Sequence, residues 1–119
     1  MKKTLVIGAS ENPSRYAFMA INKLLQHGHN VAAIGAKKGR VNGINIETEH
    51  LHYDDIDTVT LYVNPSIQKE YYPYILSLKP KRIIFNPGTE NAELQKLAQQ
   101  NGIATEEACT LVMLAANQY

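Results

Sequence analysis

Lys3-Thr4-Leu5-Val6-Ile7-Gly8-Ala9-Ser10 decides the fold: an apolar run enters a glycine and a small hydroxyl-bearing turn, and a helical pattern starts at about Tyr16. A nucleotide-binding βα unit begins this way. Glycine lets the backbone approach a phosphate, and the N-terminus of the following helix turns free N–H groups toward it. The second apolar run reads Val31-Ala32-Ala33-Ile34-Gly35-Ala36-Lys37-Lys38-Gly39-Arg40. A Rossmann protein that prefers NAD ends this strand with an acid for the ribose hydroxyls. Cations stand there instead, which favours a ligand carrying additional phosphate.

Short β-branched runs alternate with amphipathic segments along the chain, the pattern of βαβ units feeding a parallel sheet. Strands are predicted over residues 4–7, 30–34, 58–63, 82–85 and 103–105, several of them continuously apolar, as strands covered on both faces are. The predicted fold is α/β: a three-layer Rossmann-like domain whose parallel sheet has about five strands in the order 3-2-1-4-5. The first helix, 16–26, puts Ala17, Ala20, Ile21, Leu24 and Leu25 on one stripe and stops at Gly28, a left-handed C-cap residue. Another, capped by Asn91, runs to Gln100 with Leu94, Leu97 and Ala98 inward. The middle helix, 66–78, contains Pro73, which either kinks it or restarts it as a first-turn proline. Residues 43–57 have weak periodicity and read as a short strand or turn near 44–46 and a brief helix near 53–56. A terminal helix is predicted over 109–117.

With 119 residues, the chain is expected to be one domain spanning 1–119. Twelve Lys and Arg against 11 Asp and Glu give a net charge of +1, too little to recruit nucleic acid or an anionic membrane, so neither is an expected partner. A single cysteine, Cys109, leaves no internal disulfide. No apolar run reaches transmembrane length, and no signal-peptide pattern precedes the first strand, so a cytoplasmic location is expected.

Every unusual loop follows a strand. Gly8-Ala9-Ser10 follows the first, Gly35-Ala36-Lys37-Lys38 the second, Asn64-Pro65 the third and Asn86-Pro87-Gly88 the fourth. In an open parallel sheet, ligands bind outside the carboxyl ends of the strands, so these loops converge on one crevice.

These residues resemble a family of small CoA-binding proteins related to the CoA-binding domain of the succinyl-CoA synthetase α subunit. The resemblance covers nearly the whole chain. It is carried by Gly8-Ala9-Ser10 with Asn12-Pro13-Ser14-Arg15, the basic loop after the second strand, Leu61-Tyr62-Val63-Asn64-Pro65, Ile84-Phe85-Asn86-Pro87-Gly88, and Ala108-Cys109-Thr110-Leu111. The resemblance implies that the turn after the first strand and the loop after the second hold the phosphates and adenosine end of coenzyme A or an acyl-CoA. By position, it assigns Gly8, Ala9, Ser10, Arg15, Ile34, Ala36, Lys37, Tyr62, Asn64, Pro65, Asn86 and Gly88 to the ligand, with Lys38 beside them in the basic loop. Ammonium groups near the adenosine ribose suit the 3′-phosphate of CoA. The synthetase's phosphorylated histidine lies in a further domain absent from this sequence, so the implied role is a stand-alone, non-catalytic binding module with no catalytic residue. Gly35-Ala36 departs from the Asn-Pro or Thr-Pro pair common in the family. Loss of the proline frees the loop, with an ordering cost of order 1 kcal/mol per residue fixed on binding.

Other readings compete. The same lysines suit the 2′-phosphate of NADP in an oxidoreductase, although G-x-G-x-x-G is absent. A ligand-free interaction domain predicts that alanine at Lys37 and Lys38 changes no binding. His27 and His29 flank Gly28 at a helix end, where a cation favours the dipole, and no metal site is expected there. His50 and His52 sit beside Glu49 and Asp54 in what reads as an exposed turn. Cys109 reads as a small buried hydrophobe, with a mixed disulfide to CoA as the sharper reading; Glu106 and Glu107 oppose thiolate formation. Tyr71, Tyr72 and Tyr74 lack flanking cations and read as core and rim packing, not as a nucleic-acid stacking platform.

Overall fold

The computed structural model, which describes residues 1–119, contains strands β1 (Thr4–Ile7), β2 (Val31–Ile34), β3 (Gly39–Val41), β4 (Ile44–Glu47), β5 (Thr58–Leu61), β6 (Arg82–Phe85) and β7 (Ala104–Glu107). Its helices are α1 (Tyr16–Gln26), α2 (Pro65–Gln68), α3 (Tyr72–Leu78), α4 (Ala92–Gln100) and α5 (Thr110–Ala115). All seven strands form one sheet in the order β3-β4-β2-β1-β5-β6-β7, and only β3 runs antiparallel to its neighbour.

The α/β Rossmann-like architecture is as predicted, but the sheet has seven strands, not five, and the five predicted strands do not lie in the order 3-2-1-4-5. The third of them, β5, pairs with β1 on the side away from β2, so those five run 2-1-3-4-5. β4 occupies the place outside β2. The six mutually parallel strands therefore follow 3-2-1-4-5-6, the doubly wound order, whose switch point falls between β1 and β5. β3 went unpredicted because Gly39-Arg40-Val41 is short and half polar. Its hairpin to β4 turns through Asn42 (φ 48°) and Gly43 (φ 86°), both left-handed as a type I′ turn requires. The brief helix predicted near 53–56 is not formed; the backbone there bends through Asp55 at φ 60°.

The pleat of β1 splits the core between the two faces of the sheet. Leu5 and Ile7 join Val59, Leu61, Ile83 and Phe85 against α3 and α4, while Val6 joins Ala33 and Ile46 against Ala17, Ile21 and Leu24 of α1 and Leu114 of α5. That gives three layers. Pro73 restarts the middle helix instead of kinking it. The chain passes from α2 through a 3₁₀ turn, Lys69–Tyr71, into α3, where Pro73 sits in the first turn and its missing N–H leaves no bond unmade. Tyr71 and Tyr74 are core residues and Tyr72 packs at its edge, in accord with the packing reading.

At the amino ends of the strands, Tyr119 lies between the Arg82 guanidinium, 4.4 Å from the ring centre, and His29, 4.9 Å away. His29 Nδ1 accepts a hydrogen bond from the Lys2 backbone N–H at 2.9 Å, which fixes that nitrogen as unprotonated. Burial, and then the chain amino group, His27, Lys2 and Arg82, hold the His29 pKa below its ordinary 6.5. The folded state binds this proton less readily than the unfolded one. This contribution to stability is therefore intact above about pH 6.5 and is lost as pH falls through the lowered folded value. Melting curves from pH 7.5 to 5 are expected to show a decline in Tm that is shallower in His29→Gln. Equal slopes would exclude His29 as the source.

Candidate functional site

A groove of about 840 Å³ opens at the carboxyl ends of the central strands, within the range of small-molecule sites. The β1–α1 turn (Gly8 to Asn12) and the first residues of α1 form one wall, and Gly35 to Lys38 after β2 form another. Tyr62 and Val63 after β5 form the floor, and Ile67, Glu70 and Tyr71 of the following helical segment, with Pro87 and Thr89, close the far end.

Gly8 is required twice over. Its φ is 96°, and a Cβ there would stand 3.0 Å from the Tyr62 carbonyl carbon and from Val63 Cγ1. The turn is then shaped by its own side chains: Ser10 Oγ accepts from the Asn12 N–H (3.0 Å), and Asn12 Oδ1 accepts from the Ser14 N–H (3.0 Å) and hydroxyl (2.8 Å). Helix α1 follows with Arg15 at its N-cap and no side-chain cap. By contrast, Asn64 and Asn91 cap α2 and α4, their Oδ1 atoms accepting from Ile67 N–H (3.0 Å) and Leu94 N–H (3.2 Å). The first turn of α1 thus has no side-chain cap, and Arg15, Tyr16 and Ala17 bring this positive end of the helix dipole to the groove wall.

Across the groove, the loop after β2 is locked to this turn. Gly8 and Ala9 N–H donate to the Ile34 carbonyl at 2.9 and 3.0 Å, and Gly35 N–H donates to the Glu47 carbonyl at 2.9 Å. A Cβ on Gly35 would overlap the Ala9 carbonyl oxygen and approach Ile46 Cγ2 to 3.0 Å. Glycine here is what lets the two loops touch. The absent proline therefore does not leave this end of the loop free. Gly35→Ala is expected to destabilise the fold by about 1–3 kcal/mol, because the Ala9 backbone and the Ile46 side chain must shift. A thermal melt within a degree of the unsubstituted protein would refute that close approach.

Of the residues singled out from sequence, Gly8, Ala9, Ser10, Arg15, Ala36, Lys37, Lys38 and Tyr62 line the groove together. Arg15, Lys37 and Lys38 are exposed cations around it. Ile34, Asn64, Pro65, Asn86 and Gly88 do not line it. Ile34 is wholly buried and acts through its carbonyl, Asn64 and Pro65 start α2, and Gly88 is an exposed turn residue at φ 91° whose N–H bonds Glu90 Oε1 (2.9 Å). Asn86, 2% exposed, spends its side chain internally: Nδ2 donates to Thr60 Oγ1 (2.7 Å) and the Leu61 carbonyl (2.8 Å), and Oδ1 accepts from Thr110 N–H (2.9 Å). The Tyr62 hydroxyl is buried without a hydrogen-bond partner, near the Thr60 and Thr110 hydroxyls, which bond each other at 2.8 Å. Burial pushes its pKa far above the ordinary phenol value, so Tyr62 is neutral.

Sequence reasoning missed Glu11, Tyr16, Ile67, Glu70 and Tyr71 as groove residues. Tyr16 (68% exposed) and Ile67 (44%) are large apolar side chains left in solvent at the groove's rim, a signal visible only once the helices are placed. Cys109 is half-buried as the N-cap of α5. His50 stacks on Tyr71 and Tyr74, with ring centres 4.7 Å apart in both pairs, and His52 pairs with Asp54 at 2.9 Å on the surface. No helix is long and apolar enough to cross a membrane.

Known proteins share this fold. A solved structure of an uncharacterized protein superposes with a TM-score of 0.98 at 52% identity, the match covering 100% of this chain and 98% of the other. A hypothetical protein from Pyrococcus horikoshii OT3 matches at 29% identity with a TM-score of 0.88, over 97% of this chain and 82% of its own. An oxidoreductase from Bacillus cereus shares the fold alone, at 16% identity and a TM-score of 0.60, over 88% of this chain and 34% of its own. No curated protein matches the sequence. Residues 2–115 match the CoA binding domain family, and the chain belongs to that family.

Proposed function

We propose that this member of the CoA binding domain family binds coenzyme A or an acyl-CoA in the groove, as a stand-alone module that holds its ligand without transforming it. The observation that carries the reading is the pairing, across one groove, of an uncapped helix N-terminus with Arg15 on one wall and Lys37 and Lys38 on the other. The pyrophosphate is assigned to the Gly8-Ala9-Ser10 turn and the first N–H groups of α1, where both the donors and the helix dipole favour an anion. Lys37 and Lys38 are assigned to the 3′-phosphate. Glycine at position 8 lets the turn pack directly against Tyr62 and Val63, past which the pantetheine arm would run toward Ile67.

Isothermal titration with CoA, dephospho-CoA and NADP tests the reading. Saturable CoA binding that weakens when the 3′-phosphate is missing supports it. Binding of NADP in preference to CoA would favour the oxidoreductase reading, and absence of binding by all three would remove the ligand assignment. Release of free CoA on incubation with acetyl-CoA would contradict the non-catalytic part.

A further inference from the structure

Two glycines bracket Ala36-Lys37-Lys38, and each faces a group of the β1–α1 loop. At Gly35 the facing group is the Ala9 carbonyl. At Gly39 it is the Glu11 side chain, whose Cγ and Oε1 lie 2.6 and 2.8 Å from where a Cβ would stand. The second carboxylate oxygen, Oε2, accepts a hydrogen bond from the Arg40 backbone N–H at 2.8 Å. β3 is the edge of the sheet, so an outward amide on it has no further strand to pair with. The carboxylate takes that place. Such a charge-assisted bond is roughly twice as strong as a neutral one.

We propose that Glu11 is a positioning residue: it pins the outer end of the cationic loop as the Ala9 backbone pins the inner end, so that Lys37 and Lys38 stand over the groove before the ligand arrives. This deepens, and rests on, the assignment of the groove to CoA. A carboxylate beside a phosphate subsite opposes an anionic ligand unless it has another task. Here the task is visible in the Arg40 N–H bond. The loop has no proline to stiffen it, and a loop ordered in advance loses less entropy on binding.

The experiment compares Glu11→Ala, Glu11→Gln and Gly39→Ala by amide hydrogen exchange at Arg40 and by titration with CoA and dephospho-CoA. Glutamine keeps an acceptor oxygen without the charge. The three atoms nearest the Gly39→Ala methyl all belong to the flexible Glu11 side chain, which it displaces, so the variant tests the same bond with Glu11 intact. Arg40 exchange is expected to accelerate about tenfold or more in Glu11→Ala and Gly39→Ala, and to stay within about threefold in Glu11→Gln. In the first two, the preference for CoA over dephospho-CoA falls toward one, and Glu11→Gln restores it. Unchanged exchange in Glu11→Ala and Gly39→Ala would overturn the proposal. So would faster exchange with an unchanged preference, since the bond would then secure the chain without positioning the lysines. Absence of CoA binding by the unsubstituted protein would instead sink the functional reading, and the Arg40 exchange rates would still report whether Glu11 holds the loop.

Discussion

Asn86→Ala lowers Tm by about 10 °C or more, the largest stability effect expected of any single polar substitution in this protein. The side chain ties three elements together: Nδ2 reaches Thr60 Oγ1 of β5 and the Leu61 carbonyl, and Oδ1 receives the Thr110 N–H that opens α5. Cys109, the N-cap of α5, makes no side-chain cap bond, so Asn86 caps that helix from a distance. Alanine leaves the Leu61 carbonyl and the Thr110 N–H to find new partners at a site with almost no water. At about 1–3 kcal/mol for each buried group left unsatisfied, the loss is about 3 kcal/mol or more. Asn86→Asp fares no better, because a carboxylate cannot donate to the Leu61 carbonyl. Differential scanning calorimetry checks the value. An Asn86→Ala protein that melts normally but no longer binds CoA would show that the side chain serves the ligand, as the family resemblance implies, and not the fold.

Lys37→Ala/Lys38→Ala weakens CoA binding by about 10- to 100-fold and dephospho-CoA binding by less than about threefold, leaving Tm unchanged. Both lysines are exposed and neither makes a hydrogen bond or an ion pair within the chain, so the fold does not depend on them. Their contribution is to the ligand's charge. That contribution is screened over about 8–10 Å at ordinary ionic strength. Raising the salt concentration is therefore expected to weaken CoA binding by the unsubstituted protein more than by the double variant. Equal losses for CoA and dephospho-CoA would move the lysines from the 3′-phosphate to the pyrophosphate. No loss for either would leave the basic loop without a role in binding.

How legible the site was in the sequence depends on what each residue does. Gly8-Ala9-Ser10 and Lys37-Lys38 were readable because strand, glycine and helix follow one another locally, and a cation pair after β2 stands out against the acid an NAD site carries there. β4 and the edge strand β3 were harder: Ile44-Asn45-Ile46-Glu47 alternates too briefly to separate from a turn. The Asn42-Gly43 pair between Val41 and Ile44 was nevertheless a hairpin signal, and weighing it would have placed both strands and with them the doubly wound order. Asn86 is assigned to the ligand by the resemblance, but its side chain does not line the groove. A polar residue at the carboxyl end of a strand is drawn toward the ligand by position alone, and only the three-dimensional structure shows its hydrogen bonds already committed to Thr60, Leu61 and Thr110. The same holds for Glu11, whose role depends on Gly39 and Arg40, nearly thirty residues further along the chain. Pro73 fits both a kink and a restart in the sequence, and the 3₁₀ turn before it makes it a restart.

The most direct test of the groove as the ligand site is a titration of the isotopically labelled protein with CoA, followed residue by residue in amide NMR spectra. Saturable shift changes are expected, concentrated at Gly8 to Ser10, Arg15 to Ala17 and Gly35 to Lys38. Shifts centred instead on Lys2 to Thr4, His29 and Tyr119 at the opposite end of the sheet, or spectra unmoved at millimolar CoA, would contradict it.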